Sequence, residues 1–71
     1  MYFNERECLR AMLDADVSTW GALVSKSGVP RRTLYNIRIG ATIPTIEQCY
    51  AIADVLKLDG YRFFKVFPRN G

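Results

Sequence analysis

Along most of this chain apolar residues recur at helical rather than strand spacing. Cys8, Leu9, Met12 and Leu13 fall on one side of a first helix. Asn4, with Glu7 three residues on, resembles a capping box with Asn in place of Ser or Thr, and opens that helix. It is expected to stop near Asp14, because Ala15-Asp16-Val17 lacks the period. Ser18 or Thr19 caps a second, short helix, about Thr19 to Ser27, with Leu23 and Val24 facing inward. Gly28 ends it, since glycine enters the left-handed conformation without a Cβ clash and lets the chain reverse. Val29 fills the angle, and Pro30 suits the first turn of a third helix, where its missing N–H loses nothing. That helix runs to about Ile39, with Leu34 and Ile37 pointing in, and Gly40 stops it. Beyond the loop from Ala41 to Pro44, Thr45 and Gln48 form a second capping box. A fourth helix then runs to about Leu58, its buried stripe Ile46, Cys49, Tyr50, Ile52, Ala53 and Leu56, and Asp59-Gly60 makes a turn.

The stretch Tyr61-Arg-Phe-Phe-Lys-Val-Phe67 puts four aromatics in seven residues. Alternation at Tyr61, Phe63, Lys65 and Phe67 fits an edge strand; a short fifth helix is the other option. Some of these rings close a small core. Four large rings exceed what one end of such a domain buries, so Tyr61, Phe63, Phe64 and Phe67 are candidates for a self-association surface. Tyr2 and Phe3 either fold back onto the core or extend a partner surface. No internal repeat or low-complexity segment is present.

With 71 residues this is one domain, and its core supplies roughly 3–5 kcal/mol of net stability, so dimerisation would help. At 49% apolar, disorder is not expected. The net charge of +3 is unevenly spread. Before Val17 two arginines face four acids; from Val17 to Ile46 come Lys26, Arg31, Arg32 and Arg38 with no acid. The two cysteines, Cys8 and Cys49, are not in CxxC form and there is no histidine, so no metal site is expected. Both thiols fall on apolar helix faces and read as reduced core residues of a cytoplasmic protein. No secretory leader is expected, and no apolar run approaches the ~20 residues of a membrane span. Catalysis is not expected either. Paired carboxylates with supporting residues and a Gly-rich phosphate loop are missing, and Tyr35 and the cysteines lack activating partners. Neither a cofactor nor a small-molecule substrate is indicated.

The informative stretch is Thr19 to Gly40, a helix, a tight turn and a helix that opens on Arg31 and Arg32 and carries Asn36 one turn later. A short helix pair with a concentrated positive front suits a polyanion. Gly21 inside the second helix costs roughly 1 kcal/mol relative to Ala. It marks either close approach of another helix or a phosphate, or mere tolerance.

Leu23-Val24, Gly28-Val29, Leu34 with Ile37, and Gly40-Ala-Thr-Ile-Pro44 before Thr45-Ile-Glu-Gln together resemble the lambda-repressor-like (Cro/cI, or Xre) helix-turn-helix family over about Leu9 to Leu58. Departures are Trp20 where the family often has Gln, Val24 where it prefers Ala, Arg38 where it often has Glu, and a less basic loop at Ala41-Thr42-Ile43. The resemblance implies an all-α helix-turn-helix domain of four to five helices, set at residues 1–60; the aromatic tail at residues 61–71 lies beyond it as a candidate dimerisation element. The resemblance also implies a DNA-binding regulator whose third helix lies in the major groove of a double-stranded operator. Carried over by position, Arg31, Arg32 and Asn36 read bases. Thr19, Trp20, Thr33, Tyr35, Arg38 and Thr42 contact the DNA backbone, with Thr33 or Tyr35 alternatively meeting a thymine methyl. Trp20 has a second reading, a partly buried core tryptophan. A two-fold homodimer would read an inverted repeat, as a repressor or regulator of phage or mobile-element type in a bacterial or phage-infected cell. The alternative is a protein-interaction module of the same fold, such as an antitoxin-like partner, with the tail as its main site.

Overall fold

Side-chain oxygens open three of the helices. In the computed structural model, which describes residues 2–69, Asn4 Oδ1 accepts the amide of Glu7 at 3.1 Å and starts α1 (Glu5–Asp14). Thr19 Oγ1 accepts that of Ala22 at 3.0 Å and starts α2 (Trp20–Ser27). Thr45 opens α4 (Ile46–Leu56) with a complete capping box: Thr45 Oγ1 accepts the Gln48 amide at 3.1 Å and Gln48 Oε1 accepts the Thr45 amide at 2.9 Å. The box at Asn4 is only half made. Its amide donates to the Val66 carbonyl at 2.8 Å, which leaves Glu7 no amide to cap, and Glu7 sits 4.0 Å from Arg10 instead.

Between these lie α3 (Arg31–Arg38) and, at the end, α5 (Gly60–Val66); the described residues form no strand. Gly28 adopts φ 76° and closes α2, its amide bonded to the Val24 carbonyl. Pro30 stands just outside α3 as its N-cap, α3 ends at Arg38, and α4 ends at Leu56 because Lys57 turns left-handed at φ 55°.

The tail is helical. Phe63, Val66 and Phe67 follow the i, i+3, i+4 spacing of one helix face and point into the core, whereas Tyr61 is 72% and Phe64 43% exposed. Phe63 and Phe67 therefore close the core, and of the four rings expected at a self-association surface only Tyr61 and Phe64 remain outside. Nor is the tail an appendage. α5 packs on α1, and its rings belong to the same cluster as Cys8, Leu23, Leu34 and Ile52, so no boundary falls at residue 60. The outer limits set at residues 1 and 71 lie outside the described residues.

Two other expectations are corrected. α1 turns Cys8, Ala11 and Met12 inward toward α4 and α5, while Leu9 and Leu13, about 100° or more round the helix from that centre, are exposed. On α4 the buried stripe is Cys49, Ile52, Ala53 and Leu56. Ile46, in the first turn, and Tyr50, at the stripe's edge with its ring 5.5 Å from Phe63, are exposed.

The N-terminal segment folds back. The Tyr2 amide donates to the Pro68 carbonyl at 2.9 Å, antiparallel to the Asn4–Val66 bond. Phe3 packs at 6.5 Å from Trp20 and 5.9 Å from Phe67. No polar or charged residue is buried among the described residues. Cys8 and Cys49 are both free and fully enclosed. Burial, aided by the Glu5 charge against an opposing Arg38, pushes the Cys8 thiol up to about 12, and burial raises Cys49 in the same direction. No helix among the described residues is long and apolar enough to cross a membrane.

Candidate nucleic-acid interface

Leu23, Val29 and Leu34 are buried together and hold α2 and α3 at the turn. Ser27 Oγ accepts the Val29 amide at 3.2 Å and tightens the bend that Gly28 begins. With Leu34 and Ile37 directed inward, helical geometry turns the opposite side of α3 to solvent. Arg32 stands near the centre of that outward side and is exposed, as is Tyr35 at 55%; Asn36 and Thr33 flank it half-buried. Ile39, 57% exposed, continues the same outward row.

The start of α3 departs from those of α1, α2 and α4, each of which a side-chain oxygen caps. Pro30 supplies no side-chain cap, so its first amides are unbonded by side chains. No acid sits in its first turn, and two adjacent arginines, Arg31 and Arg32, stand where the helix dipole disfavours cations. Neither arginine has an ion-pair partner among the described residues, and neither does Lys26 at the end of α2. The site is thus an exposed, uncompensated positive end. An anion would relieve both the open amides and the paired charges.

Arg31 leans toward α2. A Cβ built on Gly21 would lie 3.7 Å from Arg31 Nη2 and 3.8 Å from Thr19 Oγ1, both ordinary contacts. No other helix crowds Gly21, so of the readings of this glycine the close approach of a neighbouring helix is removed. The guanidinium therefore borders the first turn of α2, beside the exposed Thr19. Trp20, Gly21, Arg31, Leu34 and Tyr35 line a shallow groove there. Thr42 lies exposed in the loop after α3, and the Asn36 carbonyl anchors that loop by accepting the Ala41 and Thr42 amides at 2.9 and 3.3 Å.

Two of the expected backbone-contact residues are engaged within the chain. Arg38 lies over the Trp20 ring, 4.1 Å from its centre, with Nη2 3.4 Å from Glu5 Oε1. Trp20 is half-buried between Arg38 and Phe3, in keeping with its second reading. The four cations between Val17 and Ile46 thus divide into three that are unpaired and one that is occupied. Glu5 and Ile39 were not picked out by sequence. Nothing local to Glu5 announces its pairing 33 residues away. For Ile39 the signal was present: at seven residues past Arg32 it shares the outward row and not the Leu34–Ile37 face.

The expected dimer surface is also redistributed. Phe64 joins Tyr50, Leu58 and Phe63 around a shallow groove between α4 and α5. Tyr61 faces another groove, toward α1, with Lys65 Nζ 5.4 Å from its ring centre. Comparison of the chain with family models, with curated proteins and with solved structures found no match.

Proposed function

We propose that this protein is a sequence-specific regulator that binds double-stranded DNA, a repressor of phage or mobile-element type with a lambda-repressor-like helix-turn-helix. The observation that carries the reading is the exposed, uncapped start of α3 with two unpaired arginines and no acid. Phosphate supplies the charge that this end lacks, and the major groove admits an α-helix. Arg32 and Asn36 read base edges: the guanidinium fork matches guanine O6 and N7, and the amide matches adenine N6 and N7. Arg31, leaning over Gly21, grips phosphate together with Thr19 and the α2 amides, with Thr42 further along the backbone. Tyr35 and Thr33 serve the backbone, and Ile39 meets a thymine methyl.

One such module reads few base pairs, so the protein acts as a two-fold dimer on an inverted repeat. Recognition helices must then stand about 34 Å apart, one turn of DNA. With extents of 31 × 25 × 20 Å, two copies side by side fit that spacing. Tyr50 and Phe64 supply apolar contact, and the acids Glu47, Asp54 and Asp59 beside Lys57 give the face charges of both signs. A standard interface of about 800 Å² per partner would take about a sixth of the 4753 Å² surface. Occupying the operator then blocks or recruits polymerase.

Selection from a pool of random duplexes, read by gel shift over a range of salt, tests this. An inverted repeat should emerge. Arg31, the cation placed on phosphate, contributes about −0.9 to the salt slope of each half-site. Weak binding erased by salt, with no consensus, would refute the reading and turn attention to a protein partner.

A further inference from the structure

α3 packs on α2 and touches the other helices little. Its last residue makes the exception. Arg38 is three-quarters enclosed, stacked at 4.1 Å on the first residue of α2, Trp20, and paired at 3.4 Å with the first residue of α1, Glu5. Trp20 leans on Phe3 and Phe3 on Phe67, so the stack continues to the C-terminal helix cap. Both members of the ion pair stand where the helix dipoles favour them, an anion at the start of α1 and a cation at the end of α3. Moving Arg38 out to DNA would strip the indole of its cover and leave Glu5 alone.

We propose that Arg38 is a positioning residue: through Trp20 and Glu5 it fixes the end of α3 on the body of the domain, so that the outward residues of α3 meet the groove at one angle. It does not grip phosphate itself. The inference rests on the DNA-binding reading above for its effect on recognition, and on the contacts alone for its effect on α3.

Glu5→Gln separates the two roles by sign. It is nearly isosteric, partly exposed and acidic in the native chain, so it is no phosphate ligand. If Arg38 positions α3, Glu5→Gln lowers affinity for the selected duplex about two- to fivefold, the range of a partly exposed ion pair. Affinity for a scrambled duplex and the salt slope stay unchanged. If Arg38 is a phosphate ligand, removing the competing carboxylate tightens binding to both duplexes, and that result overturns the proposal. Arg38→Ala should lower the specific-to-scrambled ratio further at constant slope; a slope shallower by about 0.9 also overturns it. A third readout needs no DNA. In the free protein, Glu5→Gln should speed amide hydrogen exchange at Leu34 to Arg38 while leaving Ile52 to Leu56 in α4 as they are. Unchanged exchange in α3 overturns the proposal. Faster exchange in Glu5→Gln, with a wild-type chain that selects no duplex, keeps the positioning role and sinks the DNA reading instead.

Discussion

α3 and α4 begin in opposite ways. α4 opens on a reciprocal Thr45–Gln48 box with Glu47 in its first turn, so its amides and its dipole are satisfied from within. α3 opens on a proline with no side-chain cap and then places two arginines against the dipole. The chain has the means to cap a helix well and uses them at α1, α2 and α4. Local features that cost stability without internal compensation are expected at functional sites, and α3 concentrates them within its first turn. α4 serves the fold. In the proposed function, the start of α3 is completed by phosphate from outside the chain.

This contrast can be broken by substitution. The largest effect belongs to α3: Arg32→Ala should weaken binding to the selected duplex by about 1–3 kcal/mol, far more than to random DNA, in titrations at fixed salt. Equal losses on both would end Arg32's role as a base reader. At α4 the effect moves from binding to folding. Thr45→Ala should lower stability by about 1 kcal/mol, seen as a drop of several degrees in Tm, with DNA affinity of the folded protein unchanged. Gly21→Ala is the smallest change and joins the two properties. The added methyl has room, so helix propensity should raise stability by up to about 1 kcal/mol. If phosphate approaches the first turn of α2, the same methyl weakens binding to all duplexes alike; if binding is untouched, the glycine is tolerated and nothing more.

Much of this was legible because it is local. The caps at Asn4, Thr19 and Thr45 and the reversal at Gly28 depend on residues no more than a few positions apart, and each stands where its sequence put it. The rest depends on which way a helix is rolled. Leu9 and Leu13 looked inward because apolar residues at 8, 9, 12 and 13 make a stripe, but the small Ala11 sets the contact face toward α4 and α5. The tail fitted two periods at once: 61, 63, 65 and 67 alternate, while 63, 66 and 67 follow a helix. The burial of Val66 with Phe63 and Phe67, while Tyr61 and Lys65 stay exposed, fits only the helix, and the Asn4 and Phe3 that meet Val66 and Phe67 lie some sixty residues away in sequence. The charged front of α3 was visible as composition. That Arg38 leaves it for Glu5 and Trp20 was not, since that exchange is tertiary.

The backbone bonds from Tyr2 to Pro68 and from Asn4 to Val66 also govern when this domain comes into being. A chain emerges from the ribosome N-terminus first, and the earliest residues here wait for the latest. Phe67, wholly enclosed in the core, must be free of the ribosome before Phe3 has its full bed, and α5 before α1 has the second of its two partners, α4 being made earlier. Such contacts have the greatest loop to close and are the slowest to gather. Until synthesis has passed the Phe67 ring, the nascent chain lacks the clasp that joins Tyr2 and Asn4 to Pro68 and Val66.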